Sequence, residues 1–96
     1  MKEINITFEN DTVRFDDRVS ILIVMPFVPR IGDLISLSED QLRKVRNIIR
    51  KASADEKPFA KLYDAAAIET FVLVIDVEFR AENNSIWIEL STEEGD

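Results

Sequence analysis

The sequence predicts an α+β domain: a small, strongly curled antiparallel sheet of five to six strands, with one or two covering helices between strands 4 and 5. Three observations predict it. Apolar and polar residues alternate over short segments at both ends of the chain, the period of half-buried strands. A segment of helical period, introduced by a capping signal, occupies the middle. Ninety-six residues, 46% hydrophobic and 32% charged, suit one globular domain spanning 1–96 with a modest core.

The first strand is read from Ile4, Ile6 and Phe8, which alternate with polar residues. A two-residue turn at Asn10-Asp11 then places Phe8 opposite Val13 and Ile6 opposite Phe15, so that every pair on that face is apolar. Asp16-Asp17-Arg18 turns the chain into a third strand, Val19 to Val28. That strand is apolar on both faces: Val19, Ile21, Ile23, Met25 and Phe27 on one, Leu22, Val24 and Val28 on the other. Such a pattern belongs to a strand covered on both sides. The curled sheet supplies one cover; the other must be a helix or a partner.

The stretch MPFVPRIGDLISL from Met25 to Leu37 is read as a corner between strands. Pro26 and Pro29 cannot donate to a ladder and belong where pairing ends. Gly32 supplies a positive φ in the bend Arg30-Ile31-Gly32-Asp33, and Leu34 to Leu37 resumes as a short strand.

Ser38-Glu39-Asp40-Gln41 fits a capping box, with Leu37 and Leu42 as a staple. In the helix of residues 39–52 that follows, Leu42, Val45, Ile48, Ile49 and Ala52 fill one arc. Arg43, Lys44, Arg46, Arg50 and Lys51 fill the opposite one. Pro58 opens a second short helix with Phe59, Leu62, Ala66 and Tyr63 inward. Phe71, Leu73, Ile75, Val77 and Phe79 alternate as a strand, and Asn83-Asn84 turns it into Ile86–Leu90. That register sets Phe79 opposite Ile88, Glu78 opposite Glu89 and Arg80 opposite Trp87. The tail from Ser91 to Asp96 is acidic and expected to fray.

The corner PRIGDLISL and the hairpin FVLVIDVEFRAENNSIWIEL resemble short uncharacterised bacterial and phage-type proteins in which a Pro-Arg-x-Gly-Asp/Glu turn joins strands of a small SH3-like barrel. The resemblance covers residues 19–37 and 70–91; it implies a barrel and no defined activity, and the helical stretch 38–69 departs from a plain barrel.

Composition narrows the chemistry. The sequence has no cysteine and no histidine. Thiol nucleophiles, thiolate metal sites and the commonest general base are therefore excluded, leaving carboxylates, Lys44, Tyr63 and hydroxyls. No phosphate-binding glycine loop or nucleophile elbow occurs. The chain reads as non-enzymatic, without cofactor or metal. The cysteine-free composition fits a reducing cytoplasm. The acid-bearing N-terminus is unlike a signal peptide, and the longest apolar run is too short for a membrane span.

The net charge of −7 is unevenly placed. Residues 41–52 hold five basic residues and no acid, while the rest of the chain carries seven basic against nineteen acidic residues. The primary functional expectation is a protein–protein interaction or assembly module that binds itself or another protein. Arg30, Asp33, Arg80 and Trp87 are the interaction candidates. Arg30 and Asp33 could face a ligand, but turn-bonding by Asp33 is the blander account; Arg80 and Trp87 form either a surface cation–π pair or an interface anchor. A solvated face is the bland account of Asp76, Glu78 and Glu89. The rival function is nucleic-acid binding by Arg43, Lys44, Arg46, Arg50 and Lys51. A weaker third reading is a small-molecule or carboxylate-based site near Arg30, Asp33 and Asp76.

Overall fold

A computed structural model describes residues 1–9, 15–55, 57–67 and 71–91. Strand β1 (Lys2–Phe8) is followed by a 3-10 turn (Asp17–Val19) and β2 (Ile21–Met25). Helix α1 (Glu39–Asp55), a second 3-10 turn (Lys57–Phe59) and α2 (Ala60–Ala67) come next, then β3 (Val74–Arg80) and β4 (Ser85–Leu90). The sheet has four strands in the order β2-β1-β4-β3, with β1 antiparallel to β2 but parallel to β4.

This corrects the expected five to six strands in a strongly curled antiparallel sheet or barrel. The sheet is mixed and open, and both helices follow the second strand. The first correction lies in β1. Ile6 pairs with Ile21 on one side and Ile88 on the other, so no edge is left for the hairpin partner Phe15. Phe15 instead sits in a bend at φ 49°; the proposed Asn10-Asp11 turn and Val13 lie outside the described residues. Putting the most regular strand in the centre buries Ile4, Ile6 and Phe8 completely or nearly so, which a peripheral hairpin would not do.

One sheet face carries the core. Ile4, Ile6, Phe8, Ile21, Ile23, Val74, Ile88 and Leu90 join Val45, Ile49 and Ala52 of α1, Phe59, and Leu62 and Ala66 of α2 in a single apolar cluster. Each fully buried aliphatic or aromatic side chain contributes roughly 1.5–3 kcal/mol, so this face dominates stability. The inward arcs of both helices match the periodicity, except that Tyr63 remains exposed. The radius of gyration, 12.5 Å, equals what a compact chain of this length should have.

The capping box forms as the sequence demands: the Gln41 amide donates to Ser38 Oγ at 3.2 Å, and the Ser38 amide donates to Gln41 Oε1 at 2.9 Å. The helix runs three residues past the expected end at Ala52, to Asp55. Ser53 accommodates this by donating its hydroxyl to the Phe59 carbonyl at 2.7 Å.

The late hairpin pairs Val77 with Ile88, Phe79 with Ile86 and Arg80 with Ser85. Its turn is four residues long, Ala81 to Asn84, with Asn84 at φ 54°. The register is displaced by two residues from the two-residue turn expected, so each side chain keeps its face but changes partner. A bulge between Val74 and Asp76 reverses the alternation and puts Val74, not Ile75, in the core. The tail begins later than expected, since Ser91 is buried and its amide donates to the Leu73 carbonyl at 2.8 Å.

Candidate functional site

Strands β2 and β3 are opposite edges of the sheet, so residues 26–35 must cross about three strand spacings, roughly 14 Å. Pro26 stops β2. The bend beyond it is closed by Asp33, whose Oδ2 accepts from the Arg30 amide at 2.8 Å and whose own amide donates to the Arg30 carbonyl at 3.0 Å. Gly32, at φ 96°, donates to the Val74 carbonyl, and Val74 donates back to the Asp33 carbonyl, at 2.8 and 2.9 Å. The expected strand Leu34–Leu37 shrinks to a single bridge between Leu34 and Leu73. Asp33 is therefore a turn-bonding residue, and Arg30 is exposed beside it.

Strand β2 and the crossing segment leave several large apolar side chains exposed. On the sheet face away from the helices, Leu22 and Val24 of β2 are 59% and 55% exposed; Phe27 and Leu34 of the corner reach 67% and 77%. Met25, Pro26, Phe27, Pro29, Leu34 and Ile35 line an open groove of about 490 Å³, with Arg30 and Asp33 at its rim. Covering Leu22 and Val24 alone would return roughly 1.5–3 kcal/mol, taking half of each residue's full burial value. Among the described residues, Ile21–Met25 pair only with β1. The strand expected over Val19–Val28 is only Ile21–Met25: of the face predicted inward Val19, Ile21 and Ile23 are buried but Phe27 is exposed, and of the other face Leu22 and Val24 are exposed while Val28 packs on the core.

Arg80 and Trp87 do meet, but not as directly opposed residues. Trp87 stands opposite Glu78, and the Arg80 guanidinium stacks 4.1 Å from the Trp87 ring centroid. The guanidinium also bonds Glu78, lies 3.6 Å from Asp17 and donates to the Phe15 carbonyl at 3.2 Å. Glu78 is the main cause that raises the Arg80 pKa above its ordinary value. Trp87 is only 6% exposed and donates its Nε1 hydrogen to Ser85 Oγ. The pair thus fastens residues 15–17 over the outer face and offers little to a partner. The predicted Glu78–Glu89 opposition does not occur: Glu89, buried, stands opposite Asp76. No group of three or more acidic, histidine or cysteine side chains that could hold a metal ion exists among the described residues.

The five basic residues of α1 divide. Arg43, Arg46 and Arg50 share a cleft between α1 and α2 with Asn47 and Tyr63, and Arg46 Nε donates to the Ala66 carbonyl at 3.3 Å. Lys51 lines a different hollow with Arg18, Ile48 and Asp55, while Lys44 is simply exposed. Tyr63 in this cleft escaped the sequence reading, because its position depends on how two helices pack. Arg30 and Asp33 do not converge with Asp76, which lines a separate hollow with Phe15, Glu78 and Arg80.

No known family model matches the chain, and neither does any curated protein or solved structure. The surface chemistry must carry the functional reading by itself. No helix among the described residues is long and apolar enough to cross a membrane.

Proposed function

We propose that this chain is a non-enzymatic protein-interaction or assembly module whose contact surface is the outer face of β2 with the adjoining corner. One observation carries the reading: Leu22, Val24 and Phe27 stand more than half exposed on and just beyond an edge strand. Unpaired edges and contiguous apolar surface are what soluble monomers ordinarily avoid or blunt. The cysteine-free sequence supports a reducing compartment such as the cytoplasm.

The test compares immobilised wild-type chain with a folded Leu22→Lys/Val24→Lys double variant, each offered cell extract and, separately, soluble wild-type chain. Binding held by the wild type and lost from the variant supports the reading. Equal retention by both overturns it.

A second reading, nucleic-acid binding, gains from Tyr63 lying beside Arg43, Arg46 and Arg50 in one cleft, since a cationic groove with an aromatic is how single strands are held. The net charge of −7 works against it at long range. Three phosphate contacts predict a log–log salt slope of about −2 for single strands. Fluorescence anisotropy with labelled single- and double-stranded oligonucleotides decides it: no shift at low salt rules the reading out.

A further inference from the structure

Strand β2 is paired to β1 on one side only, and among the described residues its other edge has no strand beside it. Its sequence, Ile21-Leu22-Ile23-Val24-Met25, is self-complementary when laid antiparallel on itself about Ile23. Leu22 then faces Val24 of the second copy, Ile21 faces its Met25, and Ile23 faces its counterpart. Alternate residues of β2 turn their backbone N–H and C=O groups away from β1. Whichever alternate set points outward, the register centred on Ile23 matches donors with acceptors. A closed two-fold contact requires this kind of self-matching surface.

Charge favours the same occupant. Val19 to Pro29 is the longest uncharged run in the sequence, and β2 carries none of the lysines or inward charges that usually blunt an edge. In a chain of net charge −7, it is where two copies can touch without opposing like charges. Across the new boundary the first charged residues met are Lys2 and Glu3, one strand further in and of opposite sign, since β1 sets them beside Met25 and Val24. Pro26 ends the ladder at one side and the Asp17–Val19 turn at the other, so the pairing is limited to a few residues, and because a two-fold contact uses the same edge of both copies it closes at two.

Resting on the proposed role of β2 as a contact surface, we infer that the partner is a second copy of this chain, joined by antiparallel β2–β2 pairing about Ile23 into a continuous eight-stranded sheet. On its outer face, Leu22 of each copy stands beside Val24 of the other, and this lateral cross-strand contact removes part of their exposure. Five strand residues are far fewer than the roughly 20–30 a side of a standard interface, so the dimer is weak and dilutable.

Sedimentation of the purified full chain between about 1 and about 300 μM reads the association directly. A monomer–dimer equilibrium in that range is expected, moved at least tenfold toward monomer by Val24→Lys with the melting curve of the monomer retained. The register is tested separately, which the absence of native cysteine makes clean. Leu22→Cys and Val24→Cys chains, mixed and mildly oxidised, should cross-link several-fold more than either chain alone, because only unlike positions are directly opposed. Equal yields from the mixture and the single variants overturn the register. If the purified chain stays monomeric throughout while Leu22→Lys/Val24→Lys still loses a captured protein, self-pairing is overturned and the broader interaction reading stands.

Discussion

The Arg80 guanidinium lies over the face of Trp87, 4.1 Å from the ring centroid and diagonal to it across the β3–β4 ladder. Both residues belong to the outer face of the sheet, whose other end, at β2, is bare. The same face thus has a part closed by its own chain and a part where Leu22 and Val24 are exposed. Arg80 closes its part by gathering Glu78, Asp17 and the Phe15 carbonyl around one planar cation.

Arg80→Met should therefore act on stability and not on association. A desolvated cation–π contact with charged hydrogen bonds around it is worth about 1–2 kcal/mol, or roughly 4–16 °C in melting temperature for a domain this size. Arg80→Lys should recover only part of this, because an ammonium lacks the planar fork. Trp87 is the only tryptophan, so a red-shifted native emission spectrum reports its loosened cover. A variant that changes the sedimentation behaviour while melting like the wild type would contradict this assignment.

Ser38→Ala should cost about 1 kcal/mol, the usual loss of an N-cap hydroxyl. The reciprocal bonds at 3.2 and 2.9 Å predict that Gln41→Ala in the Ser38→Ala background costs less than Gln41→Ala alone. A double-mutant cycle by urea denaturation measures the difference. Strict additivity would mean the two ends of the box work independently.

How much of this was legible in the sequence depends on the range over which each signal acts. The box at Ser38–Gln41 and the buried arcs of both helices are local and periodic, and the structure keeps them. Strand partners are not local. Ile4, Ile6 and Phe8 announce a strand but not that it lies between the second and last strands, parallel to the latter. Residues Phe71 to Val77 are apolar at nearly every position, so their alternation is readable in either phase, and nothing in it marks the bulge that selects Val74 for the core. The same ambiguity holds in Val19–Val28. Of its two apolar faces, Ile21 and Ile23 are buried and Leu22 and Val24 are exposed, where the pattern implies a cover on both sides. The cleft around Tyr63 required the packing of α1 on α2, which no single stretch encodes.

Thr7 is 1% exposed on central strand β1, and its Oγ1 has no hydrogen-bond partner among the described residues. A buried hydroxyl without a partner pays its desolvation with nothing returned. Thr7→Val, nearly isosteric and of high strand propensity, should be neutral or stabilising by up to about 1 kcal/mol in thermal unfolding. A loss above that size would reveal that the hydroxyl is satisfied after all.

Gly32 has φ 96° and open space where a Cβ would project. Gly32→Ala therefore meets no clash, only the backbone cost of that region, roughly 1–2 kcal/mol. Because its amide and the adjoining Asp33 carbonyl bridge to Val74, the change should also speed hydrogen exchange at Val74 and Ile35. Unaltered exchange there alongside a lowered melting point would place the strain elsewhere.

Asp16 caps the 3-10 turn through the Arg18 amide at 2.8 Å and pairs with the Arg18 guanidinium at 2.7 Å. That guanidinium is the first cause holding the Asp16 carboxyl below the usual carboxylate range, with burial opposing it. A carboxyl whose pKa is lower folded than unfolded stabilises the fold above its unfolded pKa, near 3.9, and loses that contribution as pH falls through the folded value. Asp16→Asn keeps an oxygen for the amide and removes the charge, so it isolates this linkage. It should melt lower than wild type at pH 7, by no more than about 1 kcal/mol because half of Arg18 is in water. The gap should close on acidification as the pH falls through the lowered folded pKa and the wild-type carboxyl is itself protonated. A gap that stays constant from neutral to acid would show that the loss does not come from the carboxylate's charge.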